Sequence, residues 1–192
     1  MSETQPRISI IVGSARPVRI GRQLADSIAE ALTESTSADV RILDLREIDL
    51  PMLDEPLMAG MNQYANPHTL AWAAEIRASD AVIFLTPQYN AGYPAALKNA
   101  IDYIFAEWQD RPSAIISYGG HGGPKAAKQL REVLEFIRMD LTDEQPQLVI
   151  QREDYTADWH LGDPDAVVAR YADEITAVGT ALEARIGALE AA

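Results

Sequence analysis

A chain of 192 residues with 47% hydrophobic content can bury a substantial core and falls within the usual range for one domain, so a single domain over residues 1–192 is expected. The absence of cysteine excludes a disulfide framework, a thiol nucleophile and cysteine-held metal or iron–sulfur centres. A net charge of −13 argues against nucleic acid and anionic membranes as partners, because both demand basic footprints.

The polar start, residues 1–6, lacks the basic-then-apolar profile of a signal peptide, and no apolar run approaches the ~20 residues that span a bilayer. A cytoplasmic protein is the expectation. Arg7–Val12 (RISIIV) is β-branched and apolar, a first strand, and Gly13 turns it toward a helix over residues 20–32. That turn is locally basic: Arg7, Arg16, Arg19 and Arg22 face only Glu3 within residues 1–25, a net +3 against −16 for the rest. Such a cluster in an acidic chain either receives a small anion or solvates a helix.

Residues 40–45 read as a second strand. Pro51, Pro56, Gly60 and Pro67 then break a long irregular stretch holding Met52, Met58 and Met61, which is either a lid over a site or adaptable packing. A helix over 68–79 leads to the third strand, 81–86, an apolar run without alternation that suits a strand buried on both faces. It stops in a shaped loop. Pro87 fixes φ, Asn90 and Gly92 tolerate positive φ, and Pro94 opens a helix over 93–107. The fourth strand, 114–118, ends in Gly119, Gly120, Gly122 and Gly123 before a helix over 124–139, and 147–150 is a short fifth strand. From Pro164 onward, Val167, Tyr171, Ile175, Val178, Leu182, Ile186 and Leu189 recur in steps of three and four, one helical face. Strand and helix alternate throughout, which predicts a three-layer α/β sandwich on a five-stranded parallel sheet of order 2-1-3-4-5.

In that order the switch point lies between strands one and three, so the loops after strands one, three and four converge on one crevice. The first loop, 13–22, offers free helix N–H groups, the Ser14 hydroxyl and the guanidinium of Arg16 or Arg19 to a phosphate. It is neither a Walker A loop nor a GxGxxG fingerprint. The second, 87–94, offers the rings of Tyr89 and Tyr93 to a flat ligand, or packs them on the core. The third, 119–123, leaves backbone N–H groups uncovered, and these would stabilise charge on a reduced flavin ring. His121 in it is either a hydrogen-bond partner or a solvated bystander, and Lys125 beyond it is equally open.

Together GSARPVRIG, PQYNAGYPAALKNAID and SYGGHGG resemble the NADPH-dependent FMN reductase family, flavodoxin-like flavin, quinone, chromate and azo-dye reductases. The resemblance implies FMN, its phosphate held by Ser14, Arg16, Arg19, Ile20 and Gly21. It places the flavin ring beside Pro87, Gln88, Tyr89 and Asn90, and beside Gly119, Gly120, His121 and Gly122. It implies electron transfer from NADPH to a small electron-poor acceptor, with no protein acid or base, no metal, and a homodimer or a dimer of dimers. Two positions depart from the pattern: Gln88 stands where many members carry Glu, and Arg19 and Gly21 where many carry Ser and Asn. The alternatives are a flavodoxin-like FMN electron carrier and the reductase component of a two-component flavin monooxygenase. A hydrolase lacks support, since no GxSxG elbow occurs. Trp108 is either a dimer contact or core, and residues 152–164 find no counterpart.

Overall fold

The computed structural model describes residues 5–191, so the first four residues of the polar start lie outside it. The first strand, β1 (Arg7–Val12), sends Ile8, Ile10 and Val12 to one face and Ile11 to the other. The next helix, α1 (Gly21–Ser35), starts one residue after Ile20 and outruns the expected end at residue 32. In the extra turn the hydroxyls of Thr33, Ser35 and Thr36 donate back to the carbonyls of Ala29, Ala31 and Leu32, and Thr36 N closes it on Leu32 O at 2.9 Å.

Strand β2 (Asp39–Asp44) is followed by a one-turn helix absent from the sequence reading, α2 (Leu45–Ile48). Asp44 caps it, accepting from Arg46 N at 3.0 Å, and Asp49 closes it in the left-handed region. Residues 51–66 run irregularly to α3 (Pro67–Arg77), which precedes β3 (Ala81–Pro87), every residue of which is buried. Helix α4 (Ala95–Asp102) ends well short of residue 107. Two indoles explain this: Trp72 Nε1 donates to Ala100 O at 2.8 Å and Trp108 Nε1 to Ile101 O at 3.1 Å, taking carbonyls that another turn would need. Trp108 is fully buried and belongs to the core.

Strand β4 (Pro112–Gly119) leads through the glycine loop to α5 (Pro124–Phe136), three residues shorter than expected. Arg138, in the left-handed region, stops it, and Met139 N returns to Leu134 O at 3.0 Å in a Schellman-type close. The tail is two helices, α6 (Pro164–Ala169) and α7 (Ala172–Glu190), broken at Tyr171, whose hydroxyl accepts from Val149 N.

The sheet is parallel in the order β2-β1-β3-β4, with the fifth place shared by two short pieces, β5 (Asp140–Leu141) and β6 (Gln147–Val149). β5 pairs with Pro112 and Ser113, and β6 with Ser117 to Gly119. The strand divides because residues 143–145 leave the ladder; Pro146, which has no N–H to donate, returns to it through its carbonyl, which accepts from Ser117 N at 3.0 Å. One core layer lies between the sheet and α1, α6 and α7; the other holds α3, α4 and α5 with Phe84 and both buried tryptophans.

The methionine-bearing stretch is pinned against α4. Asn99 accepts from Leu53 N at 2.9 Å, and Tyr64 donates to the buried Glu107 at 2.7 Å, where Arg77 also binds at 3.1 Å. Burial and the Glu107 carboxylate push the Tyr64 phenol up to about 12. Glu107→Ala leaves two donors without their acceptor, so it should lower unfolding free energy by about 2 kcal/mol in urea titrations. Glu107→Gln, which keeps an acceptor, should lose less.

Candidate functional site

The carboxyl ends of β1, β3, β4 and β6 meet at a cavity of about 450 Å³. It lies at the switch point between β1 and β3, where an open α/β sheet offers space to a ligand. Of the sequence-predicted residues, Ser14, Arg16, Arg19, Ile20, Pro87, Gln88, Tyr89 and Gly119 line it. Asn90, Gly120 and His121 are exposed and lie outside the lining, as do Gly21 and Gly122, which are buried. Tyr93 is in the groove between α4 and α5, and no residue of 52–67 reaches the cavity, so the methionine stretch does not cover it.

The first loop is shaped by a buried ion pair. The Asp44 carboxylate has no exposure and binds Arg19 Nη2, while Arg22 reaches Asp44 at 3.7 Å, Asp26 at 3.0 Å and Glu47 at 3.0 Å. Internal carboxylates thus neutralise most of the basic cluster read from the sequence. Two features remain for a ligand. Arg19 Nε is buried without a partner in the protein, an unsatisfied donor that calls for an acceptor. Arg16, exposed, stands over the Tyr89 ring at 5.8 Å. Ser14 and Tyr89 share a hydrogen bond of 2.6 Å between their hydroxyls, which ties loop one to loop two.

Gly21 is required by close approach. A Cβ there would lie 2.3 Å from the Tyr118 hydroxyl, so only glycine lets the first turn of α1 sit against that phenol. Burial pushes the Tyr118 phenol far above its ordinary range and also raises that of Tyr155. These two phenols are thus neutral walls of the cavity. The arrangement therefore suits anion capture and aromatic contact rather than acid–base work.

Loop two closes as a tight turn in which Tyr89 and Gly92 exchange backbone hydrogen bonds of 2.8 and 2.9 Å. Its left-handed residues are Asn90 (φ 48) and Ala91 (φ 70), the two central positions of a primed turn. Gly92, expected to supply positive φ, is the flanking partner instead. Gln88 leaves the ring-binding role open and performs another: its Oε1 accepts from Lys125 N at 3.0 Å and Ala126 N at 3.3 Å, capping α5 in place of the side chain that Gly123 lacks. Gln129 on α5 donates to Ala91 O at 3.0 Å.

A family model described as NADPH-dependent FMN reductase matches residues 6–150. The chain belongs to that family. An NAD(P)H-dependent FMN reductase of Schizosaccharomyces pombe is 41% identical over 150 residues, covering 77% of this chain and 75% of the relative. A quinone reductase of Pseudomonas putida is 35% identical over 140 residues, 69% of this chain and 71% of that one. The solved flavoenzyme NAD(P)H:(acceptor) oxidoreductase FerB of Paracoccus denitrificans shares the fold with a TM-score of 0.69 at 24% identity, over 94% of this chain and 98% of that one.

Within this FMN reductase family member, four cavity residues escaped the sequence reading: Val18, Tyr118, Tyr155 and Trp159. Tyr118 was legible in principle, because alternation along β4 places Ala114, Ile116 and Tyr118 on one face with Tyr118 at the carboxyl end. Tyr155 and Trp159 come from the segment after β6, where no sequence pattern marked a wall. Among the described residues, no cluster of acidic, histidine or cysteine side chains could hold a metal. Gln88→Ala, which strips the cap from α5, should cost about 1 kcal/mol in urea unfolding. Gln88→Glu should be at least as stable as the parent, since it keeps the acceptors and puts negative charge at the positive end of the helix.

Proposed function

We propose that the chain is a cytoplasmic NADPH-dependent FMN oxidoreductase, working as one flavodoxin-like domain over residues 1–192. The observation that carries it is the cavity at the switch point, where the start of α1, the Ser14 hydroxyl, Arg16 and the unpaired Arg19 Nε sit beside a wall of tyrosines. These residues fit FMN: two donors and a guanidinium for its phosphate, and a largely aromatic surface for its ring. Ser14, Arg16 and Arg19 would hold the phosphate, with the backbone of Ile20 and Gly21. Pro87, Gln88, Tyr89 and Gly119 would border the ring, with Asn90, Gly120, His121 and Gly122 on the outer margin.

The chemistry that FMN supplies when bound is two-electron transfer from NADPH to an electron-poor acceptor such as a quinone or a flavin. The protein's part is to bind, orient and shield. Ser14 and Tyr89 fix loops one and two against each other, so the cavity is preorganised before any ligand enters. Gln88 and Gln129 fasten loop two to α5, and the Asp44 pair holds Arg19 in place. Burial raises the phenols of Tyr118 and Tyr155, so both face the cavity as neutral rings.

A homodimer is part of the proposal. A groove of about 680 Å³ between α4 and α5 is lined by Ile101, Ile104 and Val133, and Phe136 at its rim is 83% exposed. An aromatic so open beside an apolar groove is an interaction surface, here for a second copy. Phe136→Glu should halve the mass seen by light scattering, toward the 21.0 kDa of one chain; a wild-type protein already at that mass would remove the dimer from the proposal.

The decisive experiment is an anaerobic NADPH titration of FMN-loaded protein, following the yellow flavin band, with Arg16→Ala alongside. Rapid bleaching of the wild type is expected. Arg16→Ala should bind FMN about 10- to 100-fold more weakly, yet bind riboflavin, which has no phosphate, as the wild type does. A band that holds against both NADPH and NADH while FMN is bound would leave the electron-carrier reading in its place.

A further inference from the structure

The turn after β6 lies outside the span matched by the family model, yet it supplies two aromatic walls of the cavity. Tyr155 and Trp159 meet edge to face at 5.7 Å, and the Arg152 guanidinium stands over the Trp159 ring at 5.2 Å. Trp159 is 57% exposed although it lines a cavity, and its φ of 64 places a bulky aromatic in the left-handed region. That backbone is uncommon for such a residue and persists only where the surroundings enforce it.

The surroundings do enforce it. Tyr155 and Leu161 pair as an antiparallel bridge, and inside the turn Thr156 N donates to His160 O at 2.8 Å and Trp159 N to Thr156 O at 3.2 Å. At the root, Asp154 accepts two hydrogen bonds from Arg170, at 2.9 and 2.7 Å. On the α1 side, Gln23 clamps Leu161 through both its backbone groups, at 3.1 and 3.0 Å. The turn is thus a rigid bracket, and what it presents at the cavity mouth is an indole whose exposure a flat ligand would remove.

We infer that Trp159 is the outer wall of the ring-binding part of the cavity: it packs against the planar ring of the bound flavin, and Arg152 holds the indole in that orientation. The inference rests on the FMN reading above and adds a residue to it that the motifs do not contain. An aromatic contact of this kind contributes affinity without base- or acid-type chemistry, and depends on ring area rather than on a hydrogen bond.

The protein carries its own probe. Of three tryptophans, Trp72 and Trp108 are fully buried in the opposite core layer, so Trp159 is the one that aqueous iodide can quench. Wild-type protein is titrated with FMN while iodide quenching of the tryptophan emission is measured, and FMN binding is followed separately by equilibrium dialysis. Because a bound flavin also accepts excitation energy from a nearby indole without touching it, the loss of quenchable emission counts only together with the affinities of the Trp159 variants. Bound FMN should abolish most of the iodide-quenchable emission. Trp159→Ala should bind FMN about 10-fold more weakly, and Trp159→Phe should stay within about threefold of the wild type. Arg152→Ala should leave FMN bound but restore part of the iodide access. If FMN binds and Trp159 stays quenchable, with Trp159→Ala binding as tightly as the parent, the inference is overturned while the FMN reading stands. If dialysis finds no FMN binding by the wild type, the FMN reading itself fails and takes the inference with it.

Discussion

One buried carboxylate organises the site. Asp44 ends β2 with no solvent exposure, and an ionised group so placed must be paired and hydrogen-bonded. Its needs are met by Arg46 N, by Arg19 and at longer range by Arg22. Drawing Arg19 inward sets the path of the first loop, and with it the start of α1. The start of α1 in turn brings Gly21 against the Tyr118 hydroxyl. The cavity is the space left over once these contacts are made, bounded by side chains that are already committed.

A consequence is that the basic cluster near the start of the chain is mostly structural. Counting charges along the sequence cannot separate a guanidinium that faces a ligand from one that neutralises a carboxylate 25 residues away, as Arg19 does for Asp44. Arg16 and Arg19 differ in this respect: Arg16 lies over Tyr89, whereas Arg19 commits Nη2 to Asp44 and keeps a buried, unpartnered Nε for a newcomer. Loop two shows the same division of labour. Gln88 looks like a ligand-facing residue in the motif, yet its amide oxygen caps α5, which ties the ring-bordering loop to the helix that follows the glycine turn.

Much of the fold was legible because its signals are local and redundant. The unbroken apolar runs of β1, β3 and β4, the glycine and proline stops, and the alternation of strand and helix together specify the strand order. The errors fall where tertiary contacts override local preference. Helix α4 stops when indoles from Trp72 and Trp108 take its last carbonyls, and neither indole can be placed from sequence. The sequence predicts the fifth strand only from Gln147 on, and its first piece, Asp140–Leu141, escapes it because two residues directly after a helix carry no strand pattern of their own. At the site, the loops after β1, β3 and β4 announced themselves by composition. The turn carrying Tyr155 and Trp159 did not, because its geometry depends on Gln23 and Arg170, far away in the chain.

The divided fifth strand bears on how copies of this chain can meet. A sheet edge with free backbone groups is a template for unwanted strand addition. Here one edge consists of a two-residue and a three-residue piece separated by a proline, too short and interrupted to accept a neighbouring strand in register. The other, β2, carries the charged Asp39 and exposed Arg41, ion-paired to each other along its rim. With both margins closed to ladder growth, association of folded copies is steered to helical faces, and a buried, strongly apolar sheet is carried without the fibre-forming hazard it would otherwise present.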